Sequence, residues 1–313
     1  AQAVLAQAVL SPGVASVPGS ILFRTMAPGA GERAARPRRA RALLPVLAAL
    51  AVVACVLARQ TPGVEQETLA WSLFGGNASD PDAQVEQAKK VLLESDAVFF
   101  DVDSTVVKTE GIDLLGKCFG VKKEISELTK KAMSGNVRFQ DAMADRLSLM
   151  AEHGMTEDRL ERCVKTEARP RWSRGIREVV RRLHRMGKDV YLVSGGFRNM
   201  IKPIAKALDI ADDRVYANTI LFDDDGNYVD FDRNAPTSRT GGKPAVLKAA
   251  QRENGYKTMV MLGDGATDLD ARVNGPASLF IGYGGVSVRK KVKAGADWYI
   301  YNFREILKVL PRK

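Results

Sequence analysis

Short apolar runs recur along the chain at Ala97 to Val102, Asp189 to Val193, Met259 to Leu262 and Ser278 to Ile281. Runs of this length predict buried parallel strands, because a strand covered on both faces carries few polar side chains. Between them lie helical patterns such as Phe197 to Leu208 and Pro244 to Asn254, and a polar helix from Asp82 to Leu93 precedes the first run. Strands alternating with helices predict an α/β fold, a Rossmann-like parallel sheet covered by helices.

The interval between the first two strands is too long for one crossover. Its amphipathic stretches ISELTKKAM, DAMADRLSLM and DRLERCVK predict a small inserted helical cap over residues 108–169. The catalytic core then comprises residues 83–107 and 170–313, with Thr219 to Phe231 as a hairpin turning at Asp225-Gly226-Asn227.

The first part of the chain has a different pattern. Residues 1–38 are rich in alanine, glycine, proline and arginine and do not form a core. The first methionine is Met26; from it, the basic string RPRRAR leads into the apolar run Ala42 to Ala58, a targeting layout. Residues 1–60 are therefore expected to be a leader, targeting or membrane-anchor segment, and 61–82 a linker. The run 42–58 is about the minimum length for a bilayer span, which takes roughly 17 to 25 residues. Plastid, mitochondrion and membrane association all remain open, with the cytoplasm as the location otherwise.

Charge narrows the partners. The chain of 313 residues carries a net charge of +10, but residues 1–60 hold seven arginines against one acid, leaving 40 basic and 36 acidic residues beyond. With no basic stripe interleaved with aromatics, nucleic acid is not an expected partner. The cysteines Cys55, Cys118 and Cys163 lack metal-site spacing and read as reduced thiols, and His153 and His184 lie outside every candidate site.

The chemistry gathers at strand ends, where ligand sites form in parallel sheets. FFDVDSTVV places Asp101 and Asp103 just beyond the first strand, with the donors Ser104 and Thr105 following. Two carboxylates there suit a hard cation such as magnesium. Ser194-Gly195-Gly196 follows the second strand and offers a hydroxyl and unhindered N–H groups to phosphate oxygens. Lys243 opens a helix after two glycines, and LGDGATDLD places Asp264 at a third strand end, with Thr267 and Asp268 in support.

This ordered set, DxD, serine, lysine and GDGxxD, resembles the haloacid dehalogenase superfamily. DVDSTV with EGID, AMSGNVRF with DRL, SGGF, GGK and GDGATD resemble its phosphoserine phosphatase family from Ala97 to the C-terminus. The resemblance implies a magnesium-dependent hydrolase that releases serine from free phosphoserine, the last step of serine biosynthesis. It makes Asp101 the nucleophile forming an aspartyl-phosphate, and Asp103 the acid and then the base. Magnesium would be held by Asp101, the main-chain carbonyl of Asp103 and Asp264. Ser194, Gly195 and Lys243 would hold phosphate, Glu110 the substrate's amino group and Arg146 its carboxylate, with Met133 and Phe139 closing over it. Ser134 and Arg138 depart from the family's usual glycine and proline. Contact of residues 42–58 with a membrane and a homodimer are further expectations. Two alternatives stay open: a related phosphatase or phosphotransferase acting on another small phosphorylated metabolite, and a non-catalytic membrane-anchored protein of the same fold.

Overall fold

The computed structural model describes residues 80–132, 137–167 and 169–312. Helix α1 (Pro81–Glu94) starts at Asp80, whose carboxylate accepts the N–H of Asp82 and so caps the first turn. Strand β1 (Ala97–Phe100) follows and is buried at every position. The other strands are β2 (Asp189–Phe197), β3 (Val215–Asn218), β4 (Ile220–Phe222), β5 (Tyr228–Phe231), β6 (Met259–Gly263), β7 (Leu279–Tyr283) and β8 (Trp298–Ile300).

Six of these make one parallel sheet in the order β3-β2-β1-β6-β7-β8, while β4 and β5 pair antiparallel as a separate hairpin. The apolar runs divide by the two-residue period of a strand. Val98, Phe100, Val190, Leu192, Val260 and Leu262 pack into one apolar layer. Their neighbours Ala97, Phe99, Tyr191, Val193, Met259 and Met261 pack into the layer on the opposite face. Burying a side chain the size of Phe99 contributes about 1.5–3 kcal/mol, so both layers hold the central strands firmly.

Helices cover both layers. One carries α1, α6 (Ile176–Arg185), α7 (Arg198–Ala207) and α11 (Arg304–Leu307). The other carries α8 (Gly242–Asn254), α9 (Ala266–Val273) and α10 (Lys290–Gly295).

Among the described residues, four helices occupy the long interval after β1: α2 (Gly111–Cys118), α3 (Lys122–Lys131), α4 (Phe139–Glu152) and α5 (Glu157–Glu167). Their apolar faces form a third cluster around Leu115, Ile125, Leu147, Met150 and Leu160. Ile220 and Phe231 of the hairpin complete it, and the N–H of Glu157 donates to the carbonyl of Gly226 at the hairpin tip.

Two readings of the sequence need correction. Ser194-Gly195-Gly196, expected to follow the second strand, instead continues strand β2, whose pairing with β3 becomes irregular between Val193 and Phe197. Cys118 and Cys163 are not free thiols: they form a disulfide with Cα atoms 5.9 Å apart. Their separation of 45 residues gave no spacing signal; the packing of α2 on α5 brings them together. No helix among the described residues is long and apolar enough to cross a membrane, and the run 42–58 lies outside those residues.

Candidate active site

The carboxyl ends of β1, β2 and β6 lie side by side because β1 pairs in parallel with both neighbours. Asp101 is the first residue past β1 and stays in the sheet's bonding pattern, its N–H donating 2.9 Å to the carbonyl of Leu262. The chain then winds through one wide turn, Val102–Val106, in which Ser104 takes φ +56°, a conformation side chains seldom adopt. This turn is held by side chains. The Ser104 hydroxyl donates 2.5 Å to Glu110, and the Asp103 carboxylate accepts the Gly111 N–H at 2.7 Å and the Ser194 hydroxyl at 3.2 Å.

Burial first, then the charges of Glu110 and Asp101, push the Asp103 carboxyl up from 3.8 to about 7, against the opposing bonds from Gly111 and Ser194. Burial likewise raises Glu110. A Cβ on Gly196 would lie 2.7 Å from an Asp103 oxygen, and one on Gly195 would lie 2.7 Å from the Phe139 ring. The paired glycines thus let a carboxylate and an aromatic ring approach the backbone of β2.

Gly241, at φ +75°, turns the chain into α8 and sets Lys243 in its first turn. Lys243 is 8% exposed, and its ammonium donates 2.5 Å to Asp101 Oδ1 and also to Asp268 Oδ1. Burial opposes that charge, but the two carboxylates outweigh it and push the lysine up. The other Asp268 oxygen accepts the Gly265 N–H at 2.9 Å, closing the start of α9.

Asp101, Asp264 and Asp268 present oxygens within 4.8 Å of one another, all three buried. An all-oxygen set of this charge fits a hard divalent cation. The Asp103 carboxylate is turned away to Gly111 and Ser194. Asp264 is raised, by burial first and Asp101 second, while Arg289 opposes the rise.

A cavity of about 320 Å³ opens over these groups. Asp101, Asp103, Glu110, Phe139, Arg146, Ser194, Gly195, Lys243, Asp264, Thr267 and Asp268 all line it, so the residues expected from the sequence converge. Arg146 reaches it from α4, steadied by bonds to the Ala142 carbonyl (2.7 Å) and the Thr129 hydroxyl (3.4 Å). Met133 and Ser134 lie outside the described residues.

Sequence reasoning missed Arg289 and Asn218. Both Nε (3.0 Å) and a terminal nitrogen (2.8 Å) of Arg289 donate to Asp264 Oδ2. Its signal was available, as it is the first basic residue after a fourth strand end, Tyr283 followed by two glycines. Asn218, fully buried on the unpredicted strand β3, donates 2.8 Å to the Gly195 carbonyl and accepts from the Thr237 hydroxyl at 2.9 Å. It braces the end of β2 against the segment leading to Lys243.

A parallel sheet with carboxylates, a lysine and a serine at one rim defines a haloacid dehalogenase-type hydrolase, and the haloacid dehalogenase-like hydrolase family matches residues 98–271. Phosphoserine phosphatase, chloroplastic, of Arabidopsis thaliana is 46% identical over 69% of this chain and 72% of its own length. Phosphoserine phosphatase of Homo sapiens is 42% identical over 71% of this chain and 96% of its own. A solved substrate-bound phosphoserine phosphatase complex superposes with a TM-score of 0.58 at 27% identity, over 70% of this chain and 99% of that one. The chain belongs to the haloacid dehalogenase-like hydrolases and, among them, to the phosphoserine phosphatase family.

Proposed function

We propose that the chain converts O-phospho-L-serine to L-serine and phosphate through an aspartyl-phosphate on Asp101. The observation that carries this reading is one cavity lined both by Asp101, Lys243 and Asp264 and by Glu110 and Arg146. The first set suits a phosphoryl group. The second suits a zwitterion, a carboxylate for an ammonium and a planar guanidinium for a carboxylate. The names of the relatives favour the same substrate.

An Asp101 oxygen attacks phosphorus while the bond to the serine oxygen breaks, and Asp103 gives that oxygen its proton. A carboxyl held near 7 by its buried setting is suited to this work at neutral pH. Asp103 then takes a proton from the water that attacks the aspartyl-phosphate, and Asp101 departs as a carboxylate. Lys243, the Ser194 hydroxyl and the Gly195 N–H hold the phosphoryl oxygens in place. Asp101, the main-chain carbonyl of Asp103 and Asp264 would hold magnesium, whose charge lets a carboxylate approach an anionic phosphoryl group. Phe139, against Gly195, excludes water as the cavity closes, with Met133 as its expected companion.

Residues 1–60 act in this reading as a plastid-directing segment, supported by their basic and apolar layout and by the chloroplastic relative.

The test is steady-state phosphate release from phosphoserine, with magnesium and with a chelator. Release that needs magnesium is expected. Brisk hydrolysis of other phosphomonoesters without phosphoserine would overturn the substrate, and capture of the phosphoryl group by added homoserine would make the chain a transferase.

A further inference from the structure

The disulfide between Cys118 and Cys163 joins two helices with different attachments. α2 begins at the site: Glu110 and Ile112 line the cavity, and the Gly111 N–H holds Asp103. Cys118 is its last residue. α5, which carries Cys163, is fixed to the hairpin through the Glu157 bond to Gly226 and the bridge between Thr156 and Asn227. The chain between the two cysteines contains Phe139 and Arg146, two cavity-lining residues. An ion pair also joins these helices, Lys117 to Glu167 at 2.6 Å, but both side chains are exposed and such pairs hold little. Cys118 is half-buried, whereas Cys163 is buried, so Cys118 is the more exposed of the two.

We propose that Cys118–Cys163 is a thiol–disulfide exchange site through which a dithiol reductant loosens the helices that bind substrate. A thiolate of the reductant attacks the Cys118 sulfur, the bond between the two cysteines breaks, and Cys163 leaves as a thiolate that takes up a proton. The second thiol of the reductant then attacks the mixed disulfide and frees Cys118, and the reductant departs as a disulfide. Two electrons pass to the protein. Without the tie, α2 is free to shift relative to α5, and the loop bearing Phe139 and Arg146 is no longer closed at both ends.

The activity arm of the test rests on the phosphoserine reading; the other arms do not. The full chain, purified without reductant, is alkylated after denaturation. One modified cysteine of the three is expected, Cys55, and all three after treatment with dithiothreitol. Hydrogen exchange in α2 and α5 of the native protein is expected to rise several-fold on reduction. The KM for phosphoserine rises several-fold, and kcat falls as well because α2 also holds Asp103 through the Gly111 N–H. The double variant Cys118→Ser/Cys163→Ser has the raised KM from the start and no response to dithiothreitol. Three alkylated cysteines before reduction overturn the proposal, as does reduction that leaves both exchange and KM unchanged. If neither redox form hydrolyses phosphoserine, the substrate reading falls, and alkylation with exchange still judges the site.

Discussion

Lys243 Nζ lies 2.5 Å from Asp101 Oδ1, although 142 residues separate the two along the chain. Both side chains are under 10% exposed, so the contact is a buried ion pair, with Asp268 as a second acceptor. Breaking a buried pair by removing one partner typically costs about 3–5 kcal/mol, since the other charge is left without compensation.

Lys243→Met is therefore expected to lower stability by about that amount and to slow phosphate release by roughly two to three powers of ten. Urea unfolding and steady-state turnover measure the two effects separately. A variant of normal stability and normal rate would remove Lys243 from the site.

In the proposed function, substrate recognition separates by chemical group. Arg146→Ala is expected to raise the KM for phosphoserine by roughly ten- to a hundredfold, the loss of a charge-assisted bond worth about 1.5–3 kcal/mol. Hydrolysis of a phosphomonoester without a carboxylate should change little. Equal losses on both substrates would mean that Arg146 supports the fold and not the substrate's carboxylate.

Gly196→Ala places a methyl group 2.7 Å from an Asp103 oxygen, and one of the two must move. Even a displacement of about 1 Å near a reacting group can cost a hundredfold in rate. The expected signature is a fall in kcat with unchanged sheet stability, read by turnover and thermal unfolding together.

The pH dependence of stability has a definite sign. Asp103 titrates near 7 in the folded chain and near 3.8 unfolded, so between those values the folded state keeps a proton that the unfolded state has released. Stability of the metal-free protein then falls as pH rises through this window, by up to about 1.4 kcal/mol per unit for such a group. Glu110 and Asp264, also raised chiefly by burial, add in the same direction. Chemical unfolding at pH 5 and pH 8 in chelator should show the loss, and magnesium should stabilise more at pH 8, where the carboxylates are charged. Metal-free stability that climbs across this interval would contradict the assignment.

The parallel sheet was legible because β1, β6 and β7 are short apolar runs and β2 opens with one, with chemistry-bearing residues at or just past the carboxyl ends of β1, β2 and β6. β3 was harder to read, since Val215–Asn218 mixes apolar and polar positions at the sheet edge. With it went Asn218, whose role depends on two segments meeting in space. Arg289 carried a signal as the first basic residue after the fourth strand end, but its partner did not: the pairing of β7 beside β6 brings its loop to Asp264. The disulfide illustrates the limit most directly, because helix packing alone brings Cys118 to Cys163 across 45 residues of chain.

The central claim is that Asp101 carries the phosphoryl group between substrate and water. Acid-quenching the enzyme during turnover of phosphoserine and mapping the modified peptide by mass spectrometry tests it directly. A phosphoryl adduct on Asp101 is predicted, absent from an inactive Asp101→Asn variant. An adduct on another residue, or turnover near the original rate in Asp101→Asn, would contradict it.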